Sequence, residues 1–205
     1  MSTRSYDTSK RRENALAAQL RILDSARTLF AENGIDDVTI ACIAEKAEVS
    51  ESTIYALYKS KTGILRELMI RAIFSDDYLS LVRELQKEID PLQQLMKTAR
   101  VARTIYETES RQLGALRGMG IYSATLRSLE TEFEDKRFEL QKARIEALSE
   151  SNLLRQSLTV EEARRVLWTL TARDIYINLV EVGGWTADRY EEWLRDAIVQ
   201  VLLDT

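Results

Sequence analysis

The residues of this chain best equipped for chemistry gather between Thr39 and Lys61. Hydroxyls stand at Thr39, Ser50, Ser52, Thr53 and Tyr55, a carboxylate at Glu51, and ammonium groups at Lys59 and Lys61. Hydroxyl and ammonium donors suit the oxygens of a phosphate backbone, and hydroxyl, carboxylate and methyl groups suit the edges of bases. Their spacing is that of two short helices joined by a tight turn. Ile40, Ile43, Ala44 and Ala47 share one helical stripe, Val49 fills the turn, and Ile54 and Tyr58 form the inner face of the second helix. That packing leaves Ser50, Ser52, Thr53, Tyr55, Ala56 and Leu57 at the outer side or N-terminal end of the second helix, where a recognition helix meets a major groove.

Other chemistries are poorly supplied. The chain has no histidine, which removes the commonest metal ligand and the commonest general acid or base. An enzyme would have to rely on carboxylates, Lys or Tyr, and there is neither a Glu-x-x-His pair nor a phosphate-binding glycine loop. No catalytic residue, metal or cofactor is expected. Cys42 is the single cysteine, so no intrachain disulfide forms and a reducing compartment is expected. No signal segment and no run of about 18 apolar residues is present, so a cytoplasmic protein without a membrane partner is expected.

The elements that position the Thr39–Lys61 group are helices. One proline and seven glycines in 205 residues, with 45% hydrophobic and 30% charged residues, predict an all-α fold. Residues 1–12 are polar and basic and read as a flexible arm. A helix follows over about 13–32, with Leu16, Leu20, Leu23, Ala26 and Phe30 as its stripe and Asn33-Gly34 as its end. Thr39 and Ser50 are placed to N-cap the next two helices, completing a three-helix helix–turn–helix head over 13–60. Residues 61–205 form a helical bundle for effector binding and dimerisation. Ser60 caps its first helix, whose stripe is Ile64, Leu65, Leu68, Met69 and Ala72. A helix over about 75–88 follows, and Asp90-Pro91 starts the next. Gly114, Gly118 and Gly120 mark a bend or boundary before a stripe of Leu126, Leu129, Phe133, Leu140 and Ala147. Thr159-Val-Glu-Glu162 is a capping box for one long helix that runs to Gly183-Gly184 and is apolar on two sides. Thr186 caps the last helix, striped by Tyr190, Trp193, Leu194, Ala197, Ile198, Val201 and Leu202.

Net charge divides unevenly. Residues 1–66 hold ten Lys and Arg against nine Asp and Glu, a balance of +1, so the remainder carries −5 of the overall −4. Positive charge concentrates at Arg4, Lys10, Arg11 and Arg12 and again at Lys59 and Lys61, where local placement outweighs whole-chain charge for phosphate contact.

The head resembles the tetracycline-repressor (TetR) family of bacterial regulators. Ile22-Leu23, Ala26, Leu29-Phe30-Ala31 and Gly34, then Thr39, Ile43-Ala44, Ala47, Val49-Ser50, Thr53-Ile54-Tyr55, Tyr58, Ser60-Lys61 and Leu65 carry the likeness. The resemblance implies that Thr39, Tyr55 and Lys61 hold a DNA backbone while residues 50–57, Glu51 among them, approach bases. The chain departs from the family pattern in three ways. Glu48 stands where the turn commonly has Gly. Glu51 opens the recognition helix where a cation or neutral residue is frequent. Ala56 and Leu57 replace larger polar residues, which favours thymine methyls over guanine as contacts.

In the body, Phe74, Tyr106, Met119, Tyr122, Phe133, Trp168 and Tyr176 are candidates to line a small-molecule pocket, with Arg137, Thr171, Arg173 or Asn178 supplying polar groups. Trp168, Ile175, Leu179, Trp193, Ala197, Ile198 and Val201 are candidates for a homodimer interface built as a four-helix bundle. The expected whole is a dimeric regulator, a repressor released from a double-stranded palindromic operator by a small-molecule effector. A ligand-independent activator or architectural DNA-binding protein is the alternative.

Overall fold

The computed structural model describes residues 4–120 and 123–204, with side chains over 9–114 and 123–204. The described residues form helices with no strand beyond a single bridge between Leu154 and Leu203. They divide into two compact units, residues 4–71 with 113–120 and 123–129, and residues 72–112 with 130–204.

The first unit opens with α1 (Arg4–Asn33). Residues 4–12, expected as a flexible arm, are helical: charged residues of good helix propensity extend the helix without an apolar stripe. Only the second half of the α1 stripe is core. Ile22, Leu23, Ala26 and Phe30 are buried, whereas Leu16 and Leu20 are exposed. A 30-residue helix is about 45 Å long, and the short helices packed on it cover only part of that length. Gly34 (φ +83°) ends it in the left-handed conformation. Then come α2 (Ile40–Lys46), packed on α1, and α3 (Glu51–Tyr58), packed on α2. Ile35, Val38, Ile43, Ala44, Ala47 and Ile54 complete the core of this head. α4 (Lys61–Ile73) starts in this unit and contributes Ile64, Leu65, Leu68 and Met69 to its buried residues.

Glu48, in the turn between α2 and α3, has φ +53°. A side chain in that region costs roughly 1–2 kcal/mol, part of which glycine returns through its greater unfolded-state freedom. Glu48→Gly is therefore expected to raise the stability of the head by about 0.5–1 kcal/mol, read as a higher urea midpoint of its helical signal at unchanged slope. An unchanged or lower midpoint contradicts a strained turn.

The second unit holds α5 (Asp76–Leu85), most of α6 (Pro91–Gly120) and α7 (Ala124–Glu150), then α8 (Val160–Leu170), the short α9 (Arg173–Tyr176), a π-helical turn (Ile177–Val182) and α10 (Ala187–Leu202). Its core joins Leu95, Ala99, Ala102 and Tyr106 of α6 to Ile145 and Leu148 of α7, Ala163 and Leu167 of α8, Tyr176, and Tyr190, Leu194, Ile198 and Leu202 of α10. The capping box is present: Thr159 accepts from the Glu162 amide, and the Glu162 carboxylate accepts from the Thr159 amide at 2.8 Å. Those bonds hold the Glu162 carboxyl below its ordinary range. Arg155 donates to the carbonyls of Gln200 and Leu203, satisfying the end of α10.

Three expectations need correction. The long helix from Val160 breaks at Thr171–Ala172, because Ala172 takes an extended ψ of 148° before α9. Leu140 is 63% exposed, and Gln141 occupies the inner line with Arg137, Ile145 and Leu148, so the face of α7 toward α8 is partly polar. Ile198 is fully buried in its own protomer's core and cannot belong to a dimer face. Tyr190, Leu194, Ile198 and Leu202 run down the inward side of α10, four residues apart. Trp193, Ala197 and Val201 run beside them and stay partly open.

Candidate nucleic-acid interface

Thr39 caps α2, its hydroxyl accepting from the Cys42 amide at 3.2 Å, and Ser50 caps α3 by accepting from the Thr53 amide at 3.2 Å. The Ser50 hydroxyl also lies 2.8 Å from both the Ser52 and Thr53 hydroxyls. The start of α3 is therefore a cluster of three hydroxyls at a helix N-terminus, where backbone N–H groups and the helix dipole favour an anion. Arg21 of α1 donates to the Ala47 carbonyl at 3.1 Å, tying down the end of α2.

α3 is anchored by one fully buried side chain, Ile54, and a partly buried Tyr58. Burial pushes the Tyr58 hydroxyl above its usual range, with Arg71 opposing and Glu67 adding to it. The remaining positions face water: Ser50, Glu51, Ser52, Tyr55, Ala56 and Leu57 are exposed, Tyr55 at 48%, and Thr53 is half-buried. Exposed Tyr and Leu on a short helix form a surface that only a partner would cover.

The two lysines are placed differently. Lys59 ends α3 with φ +67° and donates to the Ala56 carbonyl at 3.1 Å. Lys61 opens α4 and donates to the Asp36 carbonyl at 2.8 Å, while the Asp36 carboxylate accepts from Ser123 at 3.0 Å. Ser60 caps α4 through the Gly63 amide at 3.0 Å. A Cβ at Gly63 would run into the Tyr58 carbonyl, so the chain can turn from α3 into α4 this tightly only with glycine there. Gly63→Ala should shift α3 and cost about 1–3 kcal/mol, seen as a lower melting temperature of the head together with weaker DNA binding. A neutral outcome would show that the turn relaxes freely.

In the body, five of the candidate ligand residues come together. The Tyr106 hydroxyl donates to the Thr171 carbonyl at 2.7 Å. Arg137 donates to the Trp168 carbonyl at 3.0 Å and the Thr171 hydroxyl at 2.7 Å. Tyr176 lies 5.9 Å from the Tyr106 ring. These bonds satisfy carbonyls freed by the break after α8. Trp168 carries Arg137 over its ring at 5.1 Å and meets Phe138 edge-on at 6.2 Å. Phe74 packs edge-on against Tyr78 instead, Phe133 is half-buried, and Asn178 is exposed. Arg173 pairs with the buried Glu109 at 3.6 Å. The side chain of Met119, and Tyr122, lie outside the described residues. A groove of about 340 Å³ in this unit is lined by Asp77, Glu84, Arg100, Arg103, Arg111 and Glu191 among others, and by none of the candidate ligand residues. Sequence reasoning missed Gln141 and Arg164. Gln141 was detectable by phase, four residues from both Arg137 and Ile145. Arg164, buried on α8, donates to the Phe138 carbonyl at 3.0 Å and stacks over the Phe138 ring at 3.7 Å.

A short, anchored helix with a hydroxyl-rich N-terminus, delivered by a tight turn from a preceding helix, defines the head as a DNA-binding helix–turn–helix. The model of the bacterial regulatory proteins of the tetR family matches residues 22–68. The HTH-type transcriptional regulator TtgR of Pseudomonas putida is 30% identical over 81 residues, 40% of this chain and 39% of that relative. YvkB of Bacillus subtilis is 45% identical over 49 residues, 24% of this chain and 26% of its own. The match thus spans well under half the length of these relatives. Among solved structures, NalD of Pseudomonas aeruginosa aligns at a TM-score of 0.72 with 20% identity, covering 92% of this chain and 98% of that one. FadR of Bacillus halodurans aligns at 0.67 with 16% identity, covering 90% and 95%. Residues 22–68 are thus a DNA-binding domain of the TetR-family kind at the N-terminal end of the chain, and the chain shares the all-helical fold of these solved regulators.

Proposed function

We propose that this protein is a dimeric, sequence-specific repressor whose α3 reads an approximately palindromic operator and which a small-molecule effector releases. The observation that carries the reading is the outward face of α3, where Glu51, Ser52, Tyr55, Ala56 and Leu57 are exposed around a single buried anchor, Ile54. Ser50 and Thr39 sit at helix starts suited to phosphate, and Ala56 and Leu57 suit thymine methyls. NalD, whose fold is similar, is described as the secondary repressor of an efflux pump, which supports repression as the sign of regulation.

Two recognition helices related by a two-fold axis would engage half-sites about 34–36 Å apart. The dimer face would use Ile175, Leu179, Trp193, Ala197 and Val201, all partly open in the protomer. An effector held in the body would favour a conformer with a different separation of recognition helices, and a coupling of ~1–3 kcal/mol lowers operator affinity roughly 5- to 150-fold. Such a regulator works in the cytoplasm, and among the described residues no helix is long and apolar enough to cross a membrane.

The test is fluorescence anisotropy of the purified protein on labelled fragments from its own upstream region, titrated against salt and nonspecific competitor. Saturable binding to one palindromic fragment that survives competitor is expected, with affinity falling steeply as salt rises. Glu51→Ala should relax the preference at one base pair of each half-site, because a carboxylate there accepts from a cytosine amine. Equal weak binding to every fragment would refute the reading, and an unchanged base preference in the variant would remove Glu51 as a reader.

A further inference from the structure

The ammonium of Lys61 donates to the Asp36 carbonyl at 2.8 Å, and among the described residues it has no carboxylate partner. Yet Asp36 carries a carboxylate on the very residue whose carbonyl Lys61 touches. Rotation about the first side-chain bond of Asp36 would bring that carboxylate within reach of the ammonium, and a hydrogen bond between two ionised groups is stronger than one to a neutral carbonyl. The backbone of this turn is fixed by its buried neighbours Ile35 and Val38, whereas Asp36 itself is exposed, so its side chain is the part free to choose a partner. Ser123 makes the choice. Its hydroxyl donates to Asp36 Oδ1 at 3.0 Å and accepts from the Leu126 amide at 3.3 Å, so capping α7 leaves its proton for Asp36. Ser123 is 4% exposed, which keeps water from competing for that proton. All of these residues belong to the first unit. The carboxylate is thus occupied by a neutral donor, and the cation beside it by a neutral acceptor, with two of its three N–H groups left for another ligand.

We propose that Ser123 is a positioning residue for DNA binding: by holding the Asp36 carboxylate away from Lys61, it keeps that ammonium un-neutralised for a backbone phosphate. This rests on the reading of the head as a DNA-binding domain whose Lys61 serves a phosphate. Phosphate contacts draw their affinity from the counterions they release, and a lysine already paired with a carboxylate contributes little of it. With the Ser123 bond made, Lys61 presents its full charge at the first turn of α4, where the helix dipole also favours an anion. With that bond broken, Asp36 and Lys61 become a pair of no net charge at the same place. Asp36 has two parts in this arrangement: its carbonyl holds the ammonium in position, and its carboxylate answers to Ser123. Ser123 lies outside residues 22–68, so the grip on DNA depends on a hydroxyl at the start of α7 that the helix–turn–helix itself does not contain.

The test is fluorescence anisotropy of the full chain on labelled duplexes over a range of salt, with Lys61→Met, Ser123→Ala, Asp36→Asn and the double variant Ser123→Ala/Asp36→Asn. Lys61→Met is expected to weaken binding and to flatten the slope of log affinity against log salt by about 0.9 for each head bound. Ser123→Ala should move both in the same direction, weakening binding roughly 1.4- to 5-fold per head, the range over which a surface ion pair competes. Asp36→Asn should bind at least as tightly as the parent, because an amide oxygen still accepts from Ser123 and brings no charge against Lys61. The double variant decides: with no carboxylate left to swing, it should regain the parent's affinity and slope. Loss of the α7 cap lowers the melting temperature of Ser123→Ala and of the double variant alike, so a purely structural role would leave both weak on DNA. Parental DNA binding by Ser123→Ala, or a double variant as weak as Ser123→Ala alone, overturns the proposal, as does an unchanged salt slope in Lys61→Met. The slope can be read on any duplex. The expected order of variants on every fragment without preference would support the role of Ser123 and refute sequence-specific repression, whereas a specific operator bound normally by Ser123→Ala would do the reverse.

Discussion

Trp193→Asp is expected to convert the protein to a monomer and to lower operator affinity by about 10²–10⁴-fold, the factor gained when a second half-site contact becomes intramolecular. Trp193 stands beside the inward line of α10, edge-on to Trp185 at 6.1 Å and tilted against Tyr190 at 6.4 Å, with its outer side partly open. A carboxylate placed on that apolar stripe would have to be buried without a partner whenever two copies met. Because Trp193 also touches Tyr190, loss of the dimer could follow from damage to the protomer. Val201→Asp separates the two causes: Val201 is 37% exposed on the same line of α10, so the protomer should keep its melting profile while the dimer dissociates. Sedimentation and operator titration of both variants decide the matter. A dimeric Val201→Asp protein, or a monomer that still binds tightly, would refute the proposed face.

Ile54→Ala should destabilise the head by about 2–5 kcal/mol, the usual cost of emptying a fully packed aliphatic site. The effect should be confined in a way that spectroscopy can read. Ile54 is the one fully buried residue of α3, whereas all three tryptophans, Trp168, Trp185 and Trp193, lie in the body unit. Operator binding and part of the helical signal should therefore be lost at a temperature where tryptophan emission is still native. Tyr55→Phe is the contrast, because Tyr55 is exposed and its hydroxyl serves a phosphate in the proposed reading. That variant should melt like the parent and bind DNA more weakly. An Ile54→Ala protein with an unchanged head transition would mean that α3 is held by something other than this side chain.

Much of this protein was legible before folding because it is locally encoded. Thr39, Ser50, Ser60, Thr159 and Thr186 cap the helices they were expected to cap, since a hydroxyl and the amides it accepts from are at most three residues apart. Pro91 begins α6, and the left-handed Gly184 follows the end of the π-helical turn, for equally local reasons. The left-handed turn at Glu48 was foreseen as a departure from a glycine pattern and is present at φ +53°. The stripe through Ile43, Ala44, Ala47 and Ile54 was likewise readable, because a short helix with one apolar side has one way to bury it.

Tertiary structure decided whatever depends on a distant partner. Leu16 and Leu20 match the apolar period of α1 yet stay exposed, because no head helix reaches them, and Leu140 is outward while Gln141 is inward, because Thr171 on another helix supplies the bond that lets an amide be core. The same remote contacts, Arg137 and Tyr106 taking up the carbonyls of Trp168 and Thr171, allow the helix to break where its apolar pattern runs on unbroken. Periodicity records which residues can be buried. Which of them are, and where polar groups join them, follows from hydrogen bonds between segments 30 to 65 residues apart.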